Sequence, residues 1–154
     1  MYELTLSIPP RTKPILRDGH VVKIRTPADV TQECGDLAQA GQELFAALYV
    51  NTRNNLIDRR LLAVGSMDTC VVSPQEVFTA ALACRASAVI IAHNHPGGET
   101  TPSPEDLQIT RKLIDGGKLL GINVLDHIIL AQNDAENRVD AMSLRETGMV
   151  MFNT

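Results

Sequence analysis

Hydrophobic and polar positions alternate along this chain with a spacing that changes several times, and each change marks an element. ELFAALYVN (43–51) is a nearly continuous apolar run, TRNN (52–55) has turn chemistry, and LIDRRLLAVG (56–65) returns to apolar positions. Two such runs around a polar tetrapeptide predict a hairpin. SAVIIAHNH (87–95) has no polar interruption until its end, which predicts a strand covered on both faces and placed centrally in a sheet. INVLDHIILAQ (122–132) predicts a further strand, NDAEN a turn, RVDAMS another strand, and VVKIRT (21–26) a short one near the start.

Between these runs the period lengthens and the starts are marked. TPADVTQECGDLAQAG (26–41) offers Thr26 as N-cap, Pro27 at the first helical position and Gly41 as a stop, with Gly35 weakening its middle. SPQEVFTAALACR (73–85) opens with Ser, Pro and then Glu76 at the third helical position, the pattern of a capping box. Its Val77, Phe78, Ala81, Leu82 and Cys84 share one broad face. SPEDLQITRKLIDGGKLLG (103–121) is another capped helix, weakened at Gly116 and Gly117. SLRETG predicts a short helix near the end, with no role for Arg145 or Glu146. Strands and helices alternate and hairpins are present, so the expected fold class is α/β (α+β), a mixed β-sheet flanked by helices. Pro9, Pro10 and Pro14 predict an irregular arm over residues 1–20, followed by a single domain over 21–154.

Composition narrows the function classes. The 154 residues are 44% apolar and 21% charged, with net charge −4 and a pI near 5.5, which disfavours nucleic acid or anionic membrane as partner. No apolar run approaches the ~18–20 residues of a membrane span. The N-terminus lacks the apolar core of a secretory signal, so a cytoplasmic location is expected. Cys34, Cys70 and Cys84 are odd in number and lack CxxC spacing, which predicts small buried hydrophobes rather than disulfides or a zinc knuckle.

The chemistry concentrates in AHNHPGGETTPSPED (92–106). Side chains alternate on a strand, so His93 and His95 point to one face and Asn94 to the other. Their Cα atoms stand roughly 6–7 Å apart, close enough for both imidazoles to reach one zinc at ~2.0–2.1 Å. The glycines of the loop 96–102 let the backbone turn and bring Asp106 into the first turn of the next helix, where a carboxylate would complete a three-ligand site. Three protein ligands plus water is the catalytic arrangement of zinc. Ser103, Pro104 and Asp106 are also a good N-cap, N1 and N3 set, and by themselves they read as capping residues.

The spacing HxH, seven residues, Ser, two residues, Asp resembles the signature of the JAB/MPN (JAMM) metalloprotease family. AHNHPGG…PSPEDLQITRKL…LLGINVLDHIIL, with the earlier SPQEVFTAALACRASAVIIAHNHP, is similar to its RadC-like branch over roughly residues 24–150. The resemblance implies a cytidine-deaminase-like JAB/MPN architecture with His93, His95 and Asp106 binding Zn²⁺. It implies that Ser103 hydrogen-bonds the water or the developing oxyanion. It also calls for a glutamate just before an upstream strand as general base, and Glu43 is the candidate. Glu76 is committed to capping, and Glu99 and Glu105 lie too close to the ligands in sequence to be placed independently. Asp126 and His127 match the branch as well. His127 would hydrogen-bond to the site from behind, or be a satisfied core histidine. His20, beside Arg17 and Asp18, reads as a surface residue.

RadC-like loops usually read HNHPSG, and Gly97 replaces that serine here, a change expected to alter loop flexibility more than ligation. Longer relatives carry an N-terminal helix-hairpin-helix region associated with DNA; this chain is too short for one and begins with the proline-rich arm. The expected activity is hydrolysis of a peptide or isopeptide bond in a protein or peptide substrate. The alternative is a non-catalytic RadC-like module of protein interaction or DNA metabolism. A nuclease reading of the string His93-Asn94-His95 fits poorly, because HNH nucleases disperse those residues over a longer motif and this chain is acidic. Neither the substrate nor a dimer surface is written in the sequence, although a homodimer is the common assembly. GSMDTCVV (65–72) reads equally as a substrate-gripping loop or as edge-strand packing.

Overall fold

A computed structural model describes residues 12–64 and 72–152 of the chain. Its elements run β1 (Leu16–Arg17), β2 (His20–Val21), α1 (Pro27–Cys34), a 3₁₀ turn (Gly35–Gln39), β3 (Leu44–Val50), β4 (Leu56–Val64), α2 (Pro74–Ala83), β5 (Ala88–Asn94), α3 (Pro104–Leu120), β6 (Asn123–Asn133), β7 (Arg138–Ser143) and α4 (Leu144–Thr147). Five strands form one sheet in the order β4-β3-β5-β6-β7. Only β5 and β6 are parallel; the β3/β4, β3/β5 and β6/β7 pairs are antiparallel. The expected mixed sheet flanked by helices is present, with β5 at its centre.

Alternation along the strands gives the sheet two buried faces. Phe45, Ala47 and Tyr49 of β3 and Val89 and Ile91 of β5 pack with Val77, Phe78 and Ala81 of α2 and Leu113 and Ile114 of α3. The neighbours Ala46, Leu48, Val50, Ile90 and Ala92 point the other way, onto Val30 and Cys34 of α1 and Leu37 of the 3₁₀ turn. Every residue of β5 is buried, as expected of a central strand covered on both sides. A register shift sets the facing of β6. Val89 pairs with Val124, but Ile90 pairs with Asp126, so β6 carries one extra residue at Leu125. A one-residue bulge flips every later side chain to the opposite face. It turns His127 toward the face of α2 and α3, where Val124 already lies.

Four local expectations change. VVKIRT (21–26) holds only the end of a two-residue strand; β1 and β2 pair with each other within residues 16–21, and Lys23 makes an isolated bridge to Asn55. This small pairing begins inside the stretch read as an irregular arm, whose residues 1–11 lie outside the described part, as do 65–71 of the GSMDTCVV segment and Cys70. The helix expected over 26–41 tightens at Gly35 into 3₁₀ geometry. Leu82, placed on the buried face of its helix, is 56% exposed. The helix expected over 103–121 runs unbroken through Gly116 and Gly117. A Cβ on Gly117 would stand 2.2 Å from the carbonyl oxygen of Ile122, so glycine there permits the close return of the chain into β6. Cys34 and Cys84 are buried and free, and burial pushes the Cys34 thiol up to about 11. None of the described helices is long and apolar enough to cross a membrane.

Candidate metal centre

β5 delivers His93 at its C-terminal end, on the face covered by α3, and His95 follows on the same side. The strand pairing continues past its last residue, because the His95 amide donates to the carbonyl of Leu130 at 2.8 Å. The loop then folds back and α3 starts at Pro104, with its first turn directed at the two imidazoles. Ser103 and Asp106 form a complete capping box. The Ser103 hydroxyl oxygen accepts from the Asp106 amide at 3.1 Å, and Asp106 Oδ2 accepts from the Ser103 amide at 2.9 Å. The capping reading of these residues therefore holds, and it does not exclude the other. The same Oδ2 lies 3.1 Å from His95 Nε2, and Oδ1 lies 3.2 Å from His93 Nε2. Ser103 uses an acceptor pair for the cap, which leaves its O–H free to donate.

Glu43 precedes β3 and reaches the same point from the neighbouring strand, with Oε1 3.5 Å from His93 Nε2. One ligand atom from each of Glu43, His93, His95 and Asp106 falls within 4.8 Å of the others. The group is graded in exposure: the side chain of His93 is fully buried, that of His95 is 19% exposed and that of Glu43 30%. Solvent therefore enters on the Glu43 side. Phe45 floors the site, its ring lying flat on His93 with centroids 4.4 Å apart and planes 2° apart.

The donor set fits a tetrahedral cation. His93 Nε2 and His95 Nε2 stand 2.9 Å apart, and with the two carboxylate contacts above they approach the ~3.3–3.4 Å edge set by bonds of ~2.0–2.1 Å. Proton counting points the same way. His95 Nδ1 lies 2.8 Å from the carbonyl of Glu99, which only accepts, so His95 carries its proton on Nδ1 and turns a bare Nε2 to the site. Bare nitrogens and carboxylate oxygens in one buried place repel unless a positive charge sits among them. The titration of these groups expresses that demand. The hydrogen bond with Asp106 raises the pKa of His95 against the opposing effect of burial. Burial resists ionisation of Asp106, but where a proton on the facing imidazoles of His93 and His95 stands in for a cation, their hydrogen bonds outweigh it and hold the carboxyl well below its ordinary range.

A model of the RadC-like JAB domain matches residues 24–149. The chain belongs to the RadC-like JAB domain family. Among its relatives is a UPF0758 protein of Methanosarcina mazei, 40% identical over 129 residues, which are 83% of this chain and 54% of the relative. Another, from Shouchella clausii, is 44% identical over 119 residues, covering 75% of this chain and 52% of the relative. A third, from Desulforamulus reducens, is 43% identical over 116 residues, covering 73% and 50%. The chain thus spans about half the length of the curated relatives it matches. Their names state no activity.

In this RadC-like domain Gly97 has room for a Cβ, with nothing within 4 Å, and no left-handed φ. A serine would fit there without displacing a ligand. His127, from β6, stands behind His93 with its Nε2 2.6 Å from His93 Nδ1. Complete burial lowers its pKa well below the ordinary value. His20 is exposed, as read from the sequence.

Two residues near the site escape a motif reading. Asn94 points away from the imidazoles, yet it accepts from the Leu44 amide at 2.6 Å and donates to the Gln42 carbonyl at 3.0 Å. It clamps the backbone on both sides of Glu43 and so sets where that carboxylate enters. Its only sequence signal is a polar residue at an inward strand position. Thr110 is fully buried one turn beyond Asp106, and nothing in the sequence separates it from a threonine packed in a core.

Asp126, also part of the motif, faces the opposite side of the sheet and ties β6 to the chain's end. It accepts from the His127 and Arg145 amides, at 2.7 and 3.1 Å, and from the Ser143 hydroxyl at 2.5 Å. Burial raises its pKa despite these bonds.

Proposed function

We propose that this domain is a zinc-dependent metallopeptidase or isopeptidase that hydrolyses an amide bond in a protein or peptide substrate. The observation that carries the reading is the convergence of Glu43, His93, His95 and Asp106 on one partly open point. His93, His95 and Asp106 would hold Zn²⁺, and the exposed side would admit water and substrate. Zinc bound there would supply a Lewis acid and lower the pKa of its water to ~7. Glu43, more exposed than the three ligands and on the solvent side, takes the proton of the attacking water and passes it to the leaving amine. The O–H of Ser103, unused by the cap, donates to the oxyanion as the carbonyl becomes tetrahedral. Phe45 and the α3 cap hold His93 and Asp106 in place through the reaction.

The test is digestion of a mixed peptide and isopeptide library by the zinc-loaded chain, read by mass spectrometry beside Glu43→Gln. New amine termini that grow with time, vanish with a chelator and are absent for Glu43→Gln are expected. Zinc-loaded protein that releases no amine, or cleavage that survives Glu43→Gln, overturns the reading; a chain that binds zinc without turnover would be a binding module.

A further inference from the structure

We infer that Thr110 and His127 form a tautomer lock that presents the lone pair of His93 to the site; the inference rests on reading that site as a metal centre. The chain of bonds has one consistent proton assignment. The Thr110 hydroxyl lies 2.6 Å from the carbonyl oxygen of Asp106. A carbonyl only accepts, so the single hydroxyl proton is committed to it. Thr110 Oγ1 also lies 2.6 Å from His127 Nδ1, and toward that nitrogen the hydroxyl can only accept. His127 therefore carries its proton on Nδ1. Its two ring nitrogens face a hydroxyl and another imidazole, and with the one ring proton on Nδ1 the Nε2 is bare. That bare nitrogen, 2.6 Å from His93 Nδ1, accepts a proton from it. His93 then has its proton on the far side and a free lone pair on Nε2, the atom turned to His95, Asp106 and Glu43.

His95 needs no such device, because the Glu99 carbonyl behind it fixes its tautomer directly. Imidazoles that bind metal usually lean on a group that can act in one sense only. His93 leans on His127, which could donate or accept. Thr110 removes that freedom by passing on the fixed polarity of the Asp106 carbonyl. Reversing the chain would set the Thr110 and Asp106 oxygens 2.6 Å apart with no proton between them, a buried repulsion. The same residue, Asp106, thus offers a carboxylate in front of His93 and anchors the lock behind it. The bulge at Leu125 makes this arrangement available, since without it His127 would face away. Thr110 and His127 are positioning residues.

The experiment uses the whole chain, with Thr110→Val as the isosteric break and Thr110→Ser as the conservative replacement. Ring nitrogen NMR of the metal-free protein reads the His127 tautomer without any metal. A proton on Nδ1 and a bare Nε2 are expected in the parent and in Thr110→Ser, and loss of that signature in Thr110→Val. Competition with a chromophoric chelator should show zinc affinity falling ~10–100-fold in Thr110→Val and largely restored in Thr110→Ser. A proton on His127 Nε2 in the parent overturns the lock whether or not zinc binds. Zinc affinity unchanged in Thr110→Val overturns its positioning role. Failure of the parent to take up zinc would remove the metal reading, and the tautomer measurement would still decide the lock.

Discussion

The helices α1 and α3 begin with the same chemistry and end in different roles. α1 opens Thr26-Pro27 with Asp29 at the third position, α3 opens Ser103-Pro104 with Asp106 there, and both close a full capping box. In α1 the carboxylate is spent on backbone: Asp29 Oδ2 accepts from the Arg25 and Thr26 amides at 2.8 and 2.9 Å. In α3 the equivalent carboxylate is buried against His93 and His95. The difference lies in what the helix faces, the end of a central strand carrying two imidazoles. Capping and the proposed ligation would therefore be one arrangement at α3. The cap fixes the rotamer of Asp106 before any ion arrives, as ligating carboxylates elsewhere are held by a hydrogen bond from behind.

The sharpest way to break the comparison is to neutralise both carboxylates while keeping both caps. Asparagine at the third helical position keeps an Oδ1 that accepts from the cap residue's amide, so Asp29→Asn and Asp106→Asn should both keep their helices. Zinc affinity, read by chelator competition, should fall more than ~100-fold in Asp106→Asn, beyond what loss of a supporting bond costs, and stay unchanged in Asp29→Asn. Equal affinities would reduce α3 to a second α1.

Glu43→Gln separates base from ligand. Hydrolysis should fall ~10²–10⁴-fold with zinc affinity preserved; a large loss of affinity would instead make Glu43 a fourth ligand and the site a closed one. Asn94→Asp asks whether Glu43 is held as firmly as Asp106. The new carboxylate keeps the bond from the Leu44 amide but sets an acceptor against the Gln42 carbonyl, so urea denaturation should show a loss of ~1–3 kcal/mol, with turnover reduced more than zinc binding.

Ser73→Ala and Ser103→Ala compare the caps themselves. Each should cost about 1 kcal/mol of stability by denaturant melt, and only Ser103→Ala should also slow hydrolysis. The smallest effect concerns pH. Backbone and side-chain hydrogen bonds at the α1 cap outweigh the opposing desolvation and lower the Asp29 pKa from its ordinary 3.8. A depressed carboxylate contributes stability that is fully present above its unfolded value and is lost as pH falls through the folded value. Urea midpoints should thus show a component lost below pH 3.8, and Asp29→Asn should remove it.

Much of this architecture was legible from the chain. Periodicity and caps located β3, β4, β5, β6, α2 and α3, because each combines an apolar rhythm with a start signal of its own. The spacing of His93, His95, Ser103 and Asp106 named a site that the fold gathers, with Glu43 arriving from a neighbouring strand. What escaped depends on partners distant in sequence. The bulge at Leu125 leaves no mark in LDHIIL, yet it decides which face His127 takes. Thr110 and Asn94 matter for what stands opposite them, 17 residues away for Thr110 and 50 for the Asn94–Leu44 bond. Leu82 was misplaced because its helix covers less of the sheet than its apolar arc suggests. VVKIRT failed as a strand because Val21 pairs with Leu16 and Lys23 makes an isolated bridge to Asn55, with no ladder between them, and Thr26 is taken by the α1 cap.

The central claim is that the end of β5 and the cap of α3 make one metal centre, and elemental analysis of the purified chain tests it most directly. The account predicts about one zinc per chain, lost when His93 and His95 are both replaced by alanine. Protein prepared without chelators that holds no zinc and takes none up on addition would contradict it, and residues 92–106 would be a strand, a polar loop and a well-capped helix.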